Sequence, residues 1–195
     1  MKSNILLLFT LFIFCSFKES DILKKATKYF ENNNQQLTNT IIVSIKNQEL
    51  YYIIDGKIIK KYLISSSEYG VGNKEGSNKT PLGLHRIKKK IGGNVPENGR
   101  MIGRVFTGEI CKIYHDETRS KTDDITSRIL WLEGLEVGKN KGKGIDSFKR
   151  YIYIHGTSEE GRIGIPSSHG CIRMRNKDVI DLYKEVKVGT LVLIF

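Results

Sequence analysis

Two histidines and a cysteine crowd one stretch of the chain, "HGTSEEGRIGIPSSHGCIRM" (His155–Met174), which is loaded with Gly and Ser. Cysteine reacts through its thiolate, and a free thiol with a pKa of about 8.5 is little ionised near neutrality. A neighbouring imidazole can take the proton and hold the ion pair, while a third group fixes the tautomer of the ring. Acyl transfer also needs donors for the developing oxyanion. Backbone N–H groups in a tight turn serve, and glycine lets a substrate carbonyl approach them. Ser168-His169-Gly170-Cys171 offers a turn, a glycine and a cysteine whose own N–H can donate. His155-Gly156-Thr157 offers a second arm at the end of an apolar run, a rigid place for a base. Duller readings stand beside this one: a buried inert thiol, a strand-capping histidine, Ser and Gly as loop formers. Zinc is a sharper rival, with His155, His169 and Cys171 as ligands and Cys111 or His115 as the fourth. Paired CxxC spacing is absent, however.

The elements that must carry these residues are mostly strands. "TIIVSI" (Thr40–Ile45), "ELYYII" (Glu49–Ile54) and "KIIKKYLIS" (Lys57–Ser65) are β-branched and aromatic, with Asp55-Gly56 as a two-residue hairpin turn. "LHRIKK", "RILWLE", "RYIYIHG" and the closing "TLVLIF" are further strands. One helix is expected over "NKDVIDLYKEV", with Asn176 as N-cap, Val179, Ile180, Tyr183 and Val186 on one face, and Gly189 beyond its end. A second is expected over Asp21–Phe30, where Ile22, Leu23, Ala26, Tyr29 and Phe30 recur at helical spacing. The polar "ENNNQQLTN" after it reads as a linker. A mainly β sandwich or barrel-like domain with one or two helices fits this balance.

A chain of 195 residues with 39% hydrophobic and 27% charged residues suits one globular domain and excludes disorder. The formal charge of +11 favours anionic surroundings, but no RNA-reading signature or aromatic-interleaved basic face accompanies it, so no nucleic-acid partner is expected. "MKSNILLLFTLFIFCSF" has a basic start and an apolar run from Ile5 to Phe14, too short for a membrane span. It reads as a signal peptide or N-terminal anchor (1–17), the chain's sole expected link to a membrane. Residues 18–38 follow as helix and linker, then 39–195 as the catalytic domain. Cys15 belongs to the first segment. Cys111 and Cys171 remain, and a disulfide between them would silence a reactive thiol.

The motif resembles the signature of the L,D-transpeptidases, the YkuD-type catalytic domain of bacterial wall enzymes. That signature runs His-Gly-Thr, a spacer, Ser/Thr-His-Gly-Cys, an aliphatic residue, then Arg or Asn. Here it reads His155-Gly156-Thr157, then Ser168-His169-Gly170-Cys171-Ile172-Arg173. "KTPLGLHRI" (Lys79–Ile87), "DSFKRYIYIHG" and "NKDVIDLY" also resemble family segments, so the likeness covers about Thr40 to Phe195. It implies a β-sandwich of mixed sheets. Cys171 would be the acylated nucleophile and His155 its base, oriented by the Gly156 carbonyl. N–H groups around His169, Gly170 and Cys171 would form the oxyanion hole. The His169 ring and the Arg173 charge would position substrate or support the loop, and Ser168 would shape the turn. The implied reaction cleaves the L,D-amide before the terminal D-Ala of a peptidoglycan tetrapeptide stem and forms a 3→3 cross-link. No metal or cofactor is implied, and the site of action is the periplasm or cell envelope. Alternatives on the same scaffold are an L,D-carboxypeptidase and a protein-anchoring enzyme; a zinc- or wall-binding module is a third. Lys88–Lys90 and Arg173 are expected as a basic rim gathering anionic stems. The charged segment Gly92–Ser127 departs from the pattern and reads as part of a lid.

Overall fold

Thr40–Ser44 is apolar at consecutive positions, the pattern of a strand covered on both faces. In the computed structural model, which describes residues 19–33 and 35–195, it forms β1 and is buried along its whole length. The expected signal or anchor lies outside the described residues. Among the described residues no helix is long and apolar enough to cross a membrane.

β1 is flanked by β2 (Glu49–Ile54), antiparallel, and by the C-terminal β10 (Leu191–Ile194), parallel. Asp55 (φ 47°) and Gly56 (φ 73°) turn the chain into β3 (Lys57–Leu63), with both central residues left-handed as a tight hairpin needs. β10 continues into β4 (Gly83–Ile91), which pairs with the long β7 (Ile125–Gly134). From β7 the ladder branches. One branch is β5 (Gly99–Ile102) with β6 (Val105–Ile110); the other is β8 (Tyr153–Thr157) with β9 (Ile172–Met174). All ten strands share one mixed sheet. An isolated bridge nearly closes it: Ser65, just past β3, exchanges two backbone hydrogen bonds of 2.9 Å with Arg173 of β9.

One core therefore fills the inside. Ile41 and Val43 of β1 meet Leu130 and Leu132 of β7, Ile154 of β8, and Ile172 and Met174 of β9. The C-terminal helix α2 (Asn176–Glu185) closes this core with Val179, Leu182 and the following Val186. Leu182 replaces Ile180 and Tyr183, which are only partly buried, at the centre of the expected stripe. Asn176 is not the N-cap. It is the first helical residue, and the carboxylate of Glu160 accepts its N–H at 2.8 Å, an anion placed at the positive end of the helix.

The outer face of β1, β2 and β10 is covered by α1, helical from 19 to 32. Ile22, Ala26 and Phe30 pack against Ile42, Tyr51, Ile53 and Leu193. The polar stretch behind α1 is tied down too, since Thr38 and Leu37 carbonyls accept N–H groups from Asp55 and Gly56 at 3.1 Å. Helix and sheet thus form one folding unit. Phe30→Ala should lower unfolding stability by about 3–5 kcal/mol, as for other buried aromatics, in urea titration. A loss below about 1 kcal/mol would mean that α1 contributes little to the fold.

Candidate active site

β8 and β9 run side by side in parallel, with Ile154 beside Ile172, His155 beside Arg173 and Gly156 beside Met174. Side chains alternate across a strand. Ile154, Ile172 and Met174 enter the core, so Tyr153, His155, Cys171 and Arg173 share the opposite face. Cys171, one residue ahead of β9, lies level with Tyr153. The Tyr153 N–H points at Cys171 Sγ from 3.4 Å, and the thiol faces the Tyr151 carbonyl at 3.4 Å. Tyr151 has φ 57°, an uncommon conformation for a bulky residue, and the strand expected from Arg150 begins only at Tyr153.

His155 is buried, and its Nδ1 lies 2.7 Å from the Gly156 carbonyl oxygen. A carbonyl only accepts, so Nδ1 carries the proton and Nε2 of the neutral ring keeps its lone pair. Gly156 must be glycine. A Cβ there would lie 2.5 Å from Asn176 Oδ1 and 2.7 Å from the Thr126 carbonyl. That room lets the Asn176 amide join three elements: it accepts from Thr126 and Ser127 of β7 at 2.6 Å and donates to the Thr157 carbonyl of β8 at 2.8 Å.

The turn before Cys171 is self-braced. Ser168 Oγ donates to the Cys171 carbonyl at 2.6 Å and accepts the Gly170 N–H at 3.3 Å. Gly170 (φ 123°) has a conformation that side chains rarely adopt, and its carbonyl accepts from Thr80 Oγ1 at 3.1 Å. Behind it, the N–H groups of Ser167 and Ser168 bond the Ser66 carbonyl at 2.8 and 2.9 Å.

Arg173 does not reach the rim. It is 1% exposed, and its guanidinium meets Glu159 at 2.8 Å and Asp123 at 2.5 Å. The other Asp123 oxygen meets His169 Nδ1 at 2.7 Å. Asp123 thus links the exposed His169 to buried Arg173, and this role was not visible in the sequence. It sits in the charged segment expected as part of a lid, which forms β5 and β6 and supplies this carboxylate. Two of the three lysines expected at the rim are engaged elsewhere. Lys88 lies 3.5 Å from Glu133, Lys90 donates to the Tyr183 and Val186 carbonyls near the end of α2, and Lys89 faces the Trp131 ring. Among the described residues, no three His, Cys, Asp or Glu side chains converge as a metal site would need.

Burial dominates the protonation states. It pushes the Cys171 thiol up to about 12, against the smaller lowering by the Tyr153 N–H, Arg173 and Arg150. It pushes His155 down to about 4, although Asp123 and the Gly156 carbonyl pull the other way. Both shifts favour the neutral forms, thiol and imidazole, over an ion pair. Burial also raises Asp123, but Arg173, His155 and His169 together hold it below the usual carboxylate range.

Residues 38–194 match the YkuD family, the L,D-transpeptidase catalytic domain. The chain belongs to that family. YqjB, an L,D-transpeptidase homologue of Bacillus subtilis strain 168, is 48% identical over 52 residues, 27% of this chain and 28% of that protein. The Escherichia coli K12 homologue YbiS is 49% identical over 41 residues, 21% of this chain and 13% of its own length. These matches thus span well under a third of the relatives. Among solved structures, the Enterococcus faecium L,D-transpeptidase is 20% identical with TM-score 0.49, covering 81% of this chain and 50% of that one. The catalytic domain of the same enzyme acylated by ertapenem is 19% identical with TM-score 0.48, covering 82% and 99%.

In this L,D-transpeptidase domain the buried Arg173–Glu159 pair, with side chains 2% and 5% exposed, ties β9 to the loop after β8. Removing one partner strands a buried charge. Glu159→Ala should lower stability by about 3–5 kcal/mol in chemical denaturation. A loss under about 1 kcal/mol would show that Asp123 alone neutralises Arg173.

Proposed function

We propose that this domain is a peptidoglycan L,D-transpeptidase working through a Cys171 thioester. The observation that supports it best is the β8–β9 register, which presents the Cys171 thiol and a tautomer-fixed His155 on one sheet face. Cys171 Sγ attacks the carbonyl of the third stem residue while His155 Nε2 takes the thiol proton. The Cys171 N–H, with its neighbours in the His169-Gly170 turn, donates to the oxyanion. As the carbonyl re-forms, the C–N bond breaks and the imidazolium returns the proton to the departing D-Ala amine. An amine of a second stem then attacks the thioester and gives the 3→3 link, losing its proton to His155. The thiol is regenerated. The apolar run Ile5–Phe14 and the charge of +11 support a place outside the cytoplasm, beside an anionic wall polymer.

The neutral resting pair sets the pH dependence. Thiol and neutral imidazole are both present between about 4 and 12, so acylation should be flat through neutrality. It should fall on the acid side as His155 protonates near 4. A carbapenem is the probe, because its strained lactam carbonyl imitates the scissile amide. Intact mass should rise by one drug in the wild type. Cys171→Ser should not be labelled, and His155→Ala should be labelled on the order of 10²-fold more slowly. An adduct mapped to Cys111, or an acid limb at the ordinary histidine value, would overturn these assignments.

Products decide the acceptor. A thioester in water hydrolyses unless a second stem is bound with its amine aligned. Incubation with disaccharide-tetrapeptide should yield cross-linked dimer, read by mass spectrometry. Tripeptide without dimer at high acceptor concentration would make the protein an L,D-carboxypeptidase. Transfer to a protein lysine would make it an anchoring enzyme.

A further inference from the structure

Arg86, Arg100, Arg119 and Arg173 each lie against a carboxylate. Arg104 is held differently. Its guanidinium carbon sits 4.8 Å from the Trp131 ring centre and 5.3 Å from that of Tyr151, and Nη1 donates to the Tyr153 hydroxyl at 3.2 Å. No ion pair to a described carboxylate accompanies these contacts. Ring faces hold a cation without cancelling its charge, and a planar guanidinium keeps donors for a bidentate anion. The side chain is partly exposed, so an anion can reach it.

The backbone supplies a second, independent sign. Gly103 (φ 57°) and Arg104 (φ 71°) form the two-residue turn between Ile102 of β5 and Val105 of β6. Gly or Asn suits the second of these positions, and arginine is strained there. A strained residue held in place by its side chain motivates a functional reading of the position. The location agrees. Tyr153 touches the Cys171 sulfur with its N–H and Arg104 with its hydroxyl. The guanidinium therefore stands one tyrosine side chain away from the thiol.

We propose that Arg104, fixed over Trp131 and Tyr151, binds a carboxylate of the donor stem and thereby selects acidic donors. This rests on the transpeptidase reading and adds the chemistry of the donor subsite. A donor stem can carry two carboxylates flanking the scissile carbonyl: the terminal one of the leaving residue, and one on the side chain of the residue before it.

Trp131 is the chain's sole tryptophan, so its fluorescence reports on this subsite directly. The full-length protein carrying Cys171→Ala, which cannot turn over, is titrated with three tetrapeptide stems. One has both carboxylates free, one has the terminal carboxylate amidated, and one has the side-chain carboxylate amidated. Calorimetry reads the same titrations independently, and near-ultraviolet circular dichroism verifies the fold of each variant. Amidation of one carboxylate should raise Kd about 10-fold or more, and the stem that weakens identifies which one Arg104 holds. Arg104→Gln should weaken the free stem equally and leave that amidated stem unchanged, while Arg104→Lys recovers part of the loss. Stems that bind with no preference for either acid, or an Arg104→Gln variant that weakens all three alike, would overturn the assignment and leave the transpeptidase reading standing. Failure of every stem to bind would overturn both.

Discussion

A guanidinium with 2% of its side chain exposed has to be neutralised, and Arg173 is neutralised from two directions. Glu159 comes from the loop after β8 and Asp123 from the segment before β7. Glu159 also accepts from Ser120 N–H and Oγ at 2.7 and 2.8 Å, which ties the same segment down again. Arg173 meanwhile exchanges backbone bonds with Ser65, where the sheet nearly closes. Three parts of the chain thus converge on one residue beside His155, two on its side chain and one on its backbone. The position of Cys171, two residues earlier on the same strand face, follows from that convergence.

The same carboxylate acts on the chemistry from a distance. Asp123 raises the His155 pKa and also raises that of Cys171. The first effect favours a protonated imidazole, the form that the proposed attack would generate; the second disfavours a free thiolate. Burial adds to the second and opposes the first, and it outweighs every neighbouring charge. Both shifts favour the neutral forms, and in the proposed reaction Asp123 would stabilise positive charge on the ring. A protonated thiol is also slow to oxidise, because oxidants react with thiolates.

The sequence was most legible where one local pattern decided the outcome. Consecutive apolar residues in β1 and β2, the Asp55-Gly56 turn and the periodicity of the two helices all had their meaning within a few residues. Legibility failed where the answer depended on distant partners. β9 hides in a glycine-rich motif because three residues give too little alternation to read, and parallel pairing with β8 makes it a strand. Asn176 has the residue type of an N-cap, but Glu160 takes that place and frees its amide for Thr126, Ser127 and Thr157. Arg173 resembles a rim charge until Asp123 and Glu159 are in place around it. The structure brings His155 and Cys171 of the motif to one sheet face; the burial that shifts both groups toward their neutral forms is a property of the whole fold and could not be read locally.

Four unfavourable backbone conformations lie on or beside the strands β5, β7 and β8. Arg104, Asp123, Ser127 and Tyr151 all have positive φ and none is glycine. Each such residue costs on the order of 1–3 kcal/mol and persists only where its surroundings over-determine it. The surroundings here are identifiable. Ser127 is fixed by Asn176 and by the Asn98 N–H, Asp123 by Arg173 and His169, and Arg104 by Trp131 and Tyr153. Tyr151 is fixed by the Trp131 ring, 5.6 Å away, and by its N–H bond to the Phe148 carbonyl. The strain is offset by a core shared among β1, β4, β7, β8, β9, β10 and α2, whose residues are almost wholly buried. The face of β8 that carries Tyr153 adds a smaller cluster with Met101, Ile129 and Trp131, so apolar packing on both faces holds these residues in positions that relaxed backbone would not give them.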